Sequence, residues 1–296
     1  MDLKTYLEEK RAIVNEALKE IFPPGTAPSG DIVKAMNYSL FAGGKRLRPI
    51  LCMAGAEAVG GNGRSVLPVA CALELIHTYS LIHDDLPVMD DDDMRRGKPT
   101  SHKVFGEALA VLAGDGLLTE AFRTMTLTDT LGQVDPRALL RVVALISEAV
   151  GYQGMVGGQV VDIQSEGKDV DYPLVEFIHA HKTGALITAS VSSGAILGGG
   201  EETQISALTE YGRKIGLAFQ ISDDILDIEG DSLEMGKSLG GDVEKEKITY
   251  PSVIGLDRSK AVEREMVDQA LEALKGFDHR AEPLRRIAAY IIERKK

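Results

Sequence analysis

Apolar residues recur at three- and four-residue spacing along nearly the whole chain, the period of helices with one buried face. Residues 2–21 place Leu3, Tyr6, Leu7, Ile13, Val14, Ala17, Leu18 and Ile21 among charges and predict a surface helix. The same period predicts helices over 32–41, 49–59, 65–86, 103–128, 136–150, 174–181, 185–197, 203–228, 258–275 and 281–294, with Asp31 placed to cap the second. Loops break the pattern at Pro23–Gly30, Gly60–Gly63, Gln164–Pro173 and Gly198–Gly200. Gly154, Gly157 and Gly158 fall at helical spacing, where small residues let another backbone approach. Residues 229–250 are polar, with four glycines and with Lys237, Lys245 and Lys247, and a loop of that length points to a functional lid. Strand-like alternation is nowhere sustained, and no Asn-Gly or Asp-Gly turn joins two β-branched runs. With no linker or repeat in view, the expectation is a single all-α domain spanning 1–296.

Composition narrows the class. The 296 residues are 44% hydrophobic and 26% charged, enough apolar material for a large core. Thirty-three Lys and Arg face 45 Asp and Glu, a net charge of −12, which disfavours a nucleic-acid partner. Cys52 and Cys71 lie in apolar helical surroundings and read as small core residues of a reduced compartment. Met1-Asp2-Leu3-Lys4 lacks a signal-peptide pattern, and no uncharged apolar run reaches the ~18 residues of a membrane span. A soluble cytoplasmic protein without stable membrane insertion is expected.

Much of the acidity is local. Asp84, Asp85, Asp90, Asp91, Asp92 and Asp93 fall within ten residues and are followed at once by Arg95 and Arg96. Folding gains nothing from such a cluster, because like charges repel and cannot be buried unpaired. Carboxylate oxygens are hard ligands suited to Mg²⁺ shared with substrate phosphates, and paired guanidinium groups suit the phosphates themselves. Pro87 must end or kink the helix after Asp84, so a bent segment has to carry Asp90 back. A second cluster, Asp223-Asp224-Ile225-Leu226-Asp227, has no proline, and Asp223 and Asp227 can share one helix face. Lys45, Arg46 and Arg48 stand at the start of a helix, where cations oppose the macrodipole unless an anion is bound. Pro49 fits the first turn of that helix and should keep Arg48 out of helical geometry. His77, two turns before Asp84, shares its face.

Two acidic patches, several cationic ones and many apolar helices suit metal-bridged diphosphates held over an apolar cavity. No Ser-His-Asp order, Walker-type loop or zinc spacing competes. If a diphosphate leaves an apolar chain, metals neutralise its charge and the protein shelters the carbocation, with no side-chain nucleophile needed.

The motifs Gly43–Pro49, His77–Pro87, Met89–Thr100, Gly157–Gln159, His181–Gly184, Phe219–Asp227 and Lys247–Pro251 together resemble the trans-isoprenyl diphosphate synthases, in order and spacing, over most of the chain. Among these the chain looks most like the bacterial farnesyl diphosphate synthases. The resemblance implies an isoprenoid-synthase helical bundle around a deep central cavity, with three Mg²⁺ ions held by Asp84 and Asp90, with Asp85 supporting, and by Asp223, with Asp224 and Asp227 nearby. It implies that Arg95, Lys182 and Lys237 hold the allylic diphosphate and that Lys45, Arg48, His77 and Arg96 hold isopentenyl diphosphate. Thr183 and Gln220 would line the reacting carbons and, with Lys182, serve catalysis. A homodimer is also implied. Arg294, Lys295 and Lys296 read as a solvated tail, with closure over substrate as the alternative.

Tyr79, five residues before Asp84, is aromatic as in family members that make a fifteen-carbon product, so a farnesyl product is expected and a twenty-carbon geranylgeranyl product is the alternative. A class I terpene cyclase would lack the basic loop and the all-Asp second motif, and a non-catalytic synthase subunit would have lost carboxylates that are all present here.

Overall fold

The computed structural model describes residues 2–22, 30–127, 134–168, 170–229 and 248–293. Lys237, the 229–250 lid beyond Glu229 up to Lys247, and the basic tail from Arg294 lie outside them. The helices are α1 Leu3–Ile21, α2 Gly30–Leu40, α3 Leu47–Ala58, α4 Leu67–Asp84, α5 Ser101–Phe105, α6 Glu107–Met125, α7 Pro136–Val150 and α8 Met155–Ser165. After them come α9 Tyr172–Ile178, α10 Ala185–Leu197, α11 Glu202–Glu229, α12 Tyr250–Ile254, α13 Leu256–Ala273 and α14 Glu282–Glu293.

The core gathers round α4 and α10, whose faces are apolar nearly all round, as befits helices enclosed by others. α3 crosses α10 at close range because glycines meet backbone there: a Cβ on Gly55 would lie 2.5 Å from the Val191 carbonyl oxygen. Outer helices are one-sided; α14, for example, buries Leu284, Ile287, Ala288 and Ile291 and shows its charges to solvent. Asp2, Asp135 and Asp171 cap α1, α7 and α9 by accepting backbone N–H bonds, and Thr249 with Ser252 forms a capping box on α12. The all-helical reading therefore holds.

Its boundaries move at five points. The helix expected at 103–128 is two, parted at Gly106 with φ +83°. The helix expected at 65–86 stops at Asp84, short of Pro87. Asp31 lies in the first turn of α2, paired with Lys34, and does not cap it. Arg48 lies inside α3, which begins at Leu47: Arg46 takes the left-handed conformation (φ 55°, ψ 36°) and starts the helix before Pro49. The bias of a pre-proline residue is a preference, and the anchoring of Arg46 overrides it. Finally, α9 ends at Ile178 and passes into a π-helical turn, His179–Gly184.

A two-stranded hairpin, β1 Met94–Arg95 with β2 Lys98–Pro99, follows the first acidic cluster. Its turn, Arg96-Gly97, has positive φ at both residues (53° and 74°), the sense that matches strand twist. An Arg-Gly pair is a weak hairpin signal, and the strands are too short for alternation. The Pro136–Ser165 stretch comes nearest to a membrane span in length and hydropathy, but α7 and α8 are separated by the turn at Gly151–Gly154.

Candidate active site

A cavity of about 950 Å³ opens between the end of α4, the start of α3, the hairpin, α8, the π-turn and the middle of α11. Of the residues predicted to act, it gathers Lys45, Arg48, His77, Tyr79, Asp84, Arg95, Arg96, Lys182, Thr183, Gln220 and Asp223 in its wall. Asp85, Asp90 and Asp227 are not among the lining residues.

The carboxylates sort by helix geometry. Asp84 ends α4 facing the cavity, and the next turn folds back so that the Asp90 amide donates to the Asp84 carbonyl at 2.9 Å. Asp91 completes this bend with φ 50°, stored strain at a functional site. Asp85, about 100° round from Asp84, is buried and accepts from Arg95 Nε at 2.6 Å. Its burial raises its pKa to about 6 against the pull of Arg95. Asp85 is thus a brace for the hairpin arginine. On α11, Asp223 faces the cavity, while Asp224 and Asp227 are 3% and 2% exposed. Asp84 of α4 and Asp223 of α11 therefore line the same cavity, and their carboxylates are a hard-oxygen donor set that fits Mg²⁺. Outside the cavity wall, Asp91, Asp93 and a ring nitrogen of His102 also come within 4.8 Å of one another. That group was not foreseen as a metal set, and Asp93 is already paired with Lys103.

The cationic side is crowded. Arg46, 3% exposed, donates to Glu74 at 2.7 Å, to Asn15 at 2.9 Å and to the Leu40 carbonyl at 2.6 Å, so it is a pin that fixes the loop. Lys45 and Arg48, on either side of it, line the cavity. Burial brings Arg48 down to about 10, and its buried Nε has no hydrogen-bond partner among the described residues. His77 is held well below its ordinary value by burial and then by Arg48, Arg96, Arg95 and Arg46, which keeps it neutral. Such a cluster, with an orphaned donor, suits an anion of high charge such as a diphosphate. Sequence reasoning missed Glu74 as the counter-charge, although a lone acid in the apolar run from Leu67 to Ile82 was its visible mark.

Lys182 and Thr183 reach the cavity from the π-turn, a conformation often found at functional sites. α8 packs against that turn at Gly158, where a Cβ would lie 2.4 Å from the Lys182 amide nitrogen, so the glycine spacing is explained. Asp162, also missed, pairs with Lys182 at 2.5 Å. Thr183 Oγ1 donates to Gln220 Oε1 at 2.9 Å. Met155, Val156, Val160 and Ile163 of α8, with Phe219 of α11, supply the apolar wall. Tyr79 is buried and meets His83 edge-on at 5.7 Å.

Comparison with known proteins gives the family. Residues 30–288 fit the polyprenyl synthetase family. The chain is 50% identical to the chloroplastic geranylgeranyl pyrophosphate synthase 12 of Arabidopsis thaliana, over 98% of this chain and 81% of that one. It is 47% identical to the geranylgeranyl diphosphate synthase of Cyanophora paradoxa, over 99% and 97%. Among solved structures, an FPP/GFPP synthase from Zymomonas mobilis superposes with TM-score 0.87 at 38% identity, covering 98% of each chain. Geranylgeranyl pyrophosphate synthetase from Pyrococcus horikoshii superposes with TM-score 0.90 at 32% identity, covering 99% of this chain and 98% of that one. The chain belongs to the polyprenyl synthetase family, the prenyltransferases that join isopentenyl and allylic diphosphates in isoprenoid biosynthesis.

Proposed function

We propose that this prenyltransferase condenses isopentenyl diphosphate head-to-tail with allylic diphosphates and makes geranylgeranyl diphosphate. One observation carries the reading: Asp84 and Asp223, from the two acidic clusters, line one cavity together with Lys45, Arg48, Arg95, Arg96 and Lys182 and with apolar side chains of α8. Asp84, Asp90 and Asp223 are assigned to three Mg²⁺ ions, which when bound supply neutralisation of the departing diphosphate's charge. Arg95 and Lys182 hold the allylic diphosphate, and Lys45, Arg48, Arg96 and neutral His77 hold that of isopentenyl diphosphate. The allylic C–O bond breaks, the isopentenyl double bond attacks the freed carbon, and a proton leaves the product to a diphosphate oxygen. The oxygens of Thr183 and Gln220 face the positive charge, while the α8 residues keep water from quenching it. Exposed Leu112 and Leu140 on α6 and α7 offer apolar surface for the homodimer that belongs to this reading.

The names of the relatives support the twenty-carbon product over the fifteen-carbon one suggested by Tyr79 alone. Tyr79 still favours the shorter product as a second reading, because its ring lines the cavity. Incubation with isopentenyl diphosphate, dimethylallyl diphosphate and Mg²⁺, followed by dephosphorylation and sizing, decides. A twenty-carbon alcohol is expected, a fifteen-carbon one restores the Tyr79 reading, and no elongation removes the assignment. Tyr79→Ala should move the profile to longer chains than the wild type makes; an unchanged profile takes Tyr79 out of the chain-length stop.

A further inference from the structure

We propose that Asp224 is a positioning residue, whose carboxylate fixes the polarity of the Thr183–Gln220 pair so that oxygens face the cavity. The inference rests on the prenyl-transfer reading of the site and assigns a role to the second aspartate of a cluster that otherwise reads as a metal motif.

The argument follows the hydrogen bonds. Asp224 lies one turn beyond Gln220 on α11, and Gln220 Nε2 donates to its Oδ1 at 3.1 Å. Its Oδ2 accepts the backbone N–H of Tyr250 at 2.9 Å, where the chain re-enters the fold at α12. His179 Nε2 stands 3.5 Å from the same oxygen, and its ring stacks on Tyr250 with centroids 5.1 Å apart. Burial holds His179 down to about 3, so it is neutral. Asp224 is 3% exposed and does not line the cavity. Both oxygens are engaged with the protein.

A carboxylate can only accept, so the Gln220 amide must turn its NH₂ towards Asp224. Oε1 then points at Thr183, whose hydroxyl donates its one hydrogen to it. Lone pairs of Thr183 Oγ1 and Gln220 Oε1 are what remain for the cavity. That is the polarity needed beside a developing carbocation; a flipped amide would present N–H groups and repel it. The charge two atoms behind the pair thus selects which face of an ambivalent amide the substrate meets. Asp224 also ties this choice to the backbone at Tyr250 and to the start of the π-turn at His179.

The test separates positioning from metal binding and from general structure. Asp224→Ala and the isosteric Asp224→Asn are each made in wild-type and Gln220→Ala backgrounds, with kcat and the half-saturating Mg²⁺ concentration measured. Asp224→Ala should lower kcat roughly tenfold to a hundredfold, the scale of a misplaced catalytic group, with Mg²⁺ half-saturation within about twofold of wild type. Asp224→Asn, which leaves the Gln220 amide free to flip, should lose kcat with thermal stability preserved. In the Gln220→Ala background either change should cost less than about threefold more, because the residue it acts through is gone. A tenfold rise in the Mg²⁺ requirement would make Asp224 a metal ligand and overturn the proposal. So would an equal loss in both backgrounds. Failure of the wild type to elongate any substrate would instead sink the prenyl-transfer reading itself.

Discussion

Asp84→Ala and Asp223→Ala should each reduce turnover by about 10³-fold or more while the helical fold persists. Each removes a carboxylate that faces the cavity, not a core group. Each also relieves repulsion: Asp84 has Asp85 beside it and Asp223 has Asp224, so the fold loses little. The loss falls on the reaction, because charge on the departing diphosphate would be met by fewer bound cations. Metal stabilisation of that kind is worth several kcal/mol, and ~4 kcal/mol is about 10³ in rate. The check is kcat at saturating Mg²⁺ beside circular dichroism and the melting temperature. Near-wild-type turnover with an unchanged fold in either variant would remove the two-sided metal assignment. Asp85→Asn makes the contrast: it keeps an oxygen for Arg95 and should act mainly by loosening the hairpin.

What could be read from the sequence was the chemistry that folding does not explain. Clustered like charges, cations at a helix start and glycines at helical spacing each violate a folding preference, and the structure places Asp84, Asp223, Lys45, Arg48 and Gly158 at one site. Finer sorting was hidden because neighbours in sequence face different ways. Asp84 and Asp85 are one residue apart and 100° apart round the helix, and Arg46, next to Lys45, takes the left-handed conformation. Whether a charged residue serves substrate or fold depends on partners far along the chain: Glu74 for Arg46, Arg95 for Asp85, Tyr250 for Asp224. The hairpin was illegible for a related reason. Two-residue strands carry no period, and its turn uses Arg96 where Asn is usual.

Glu74→Ala should destabilise the protein by about 3–5 kcal/mol, the cost of stripping one partner from a buried ion pair, and lower its melting temperature by on the order of 10 °C. Arg46 and Glu74 are almost wholly buried, so neither can turn to water when its partner is lost. The two deletions are not equivalent. Without Arg46, the Glu74 carboxylate keeps the attraction of Arg48 and Arg96, which it already stabilises in their charged forms. Without Glu74, Arg46 keeps the neutral acceptors Asn15 and Leu40, and Arg48 and Arg96 lose the buried counter-charge that acts most strongly on them. Glu74→Ala should therefore be the more damaging, and Arg46→Ala the milder, of the two. An anion that fills the basic site should replace the missing charge in part. Inorganic diphosphate should then raise the melting temperature of Glu74→Ala by more than it raises that of wild type. Equal stabilisation of both proteins by diphosphate would mean that Glu74 neutralises Arg46 alone, and that the substrate cations are balanced elsewhere.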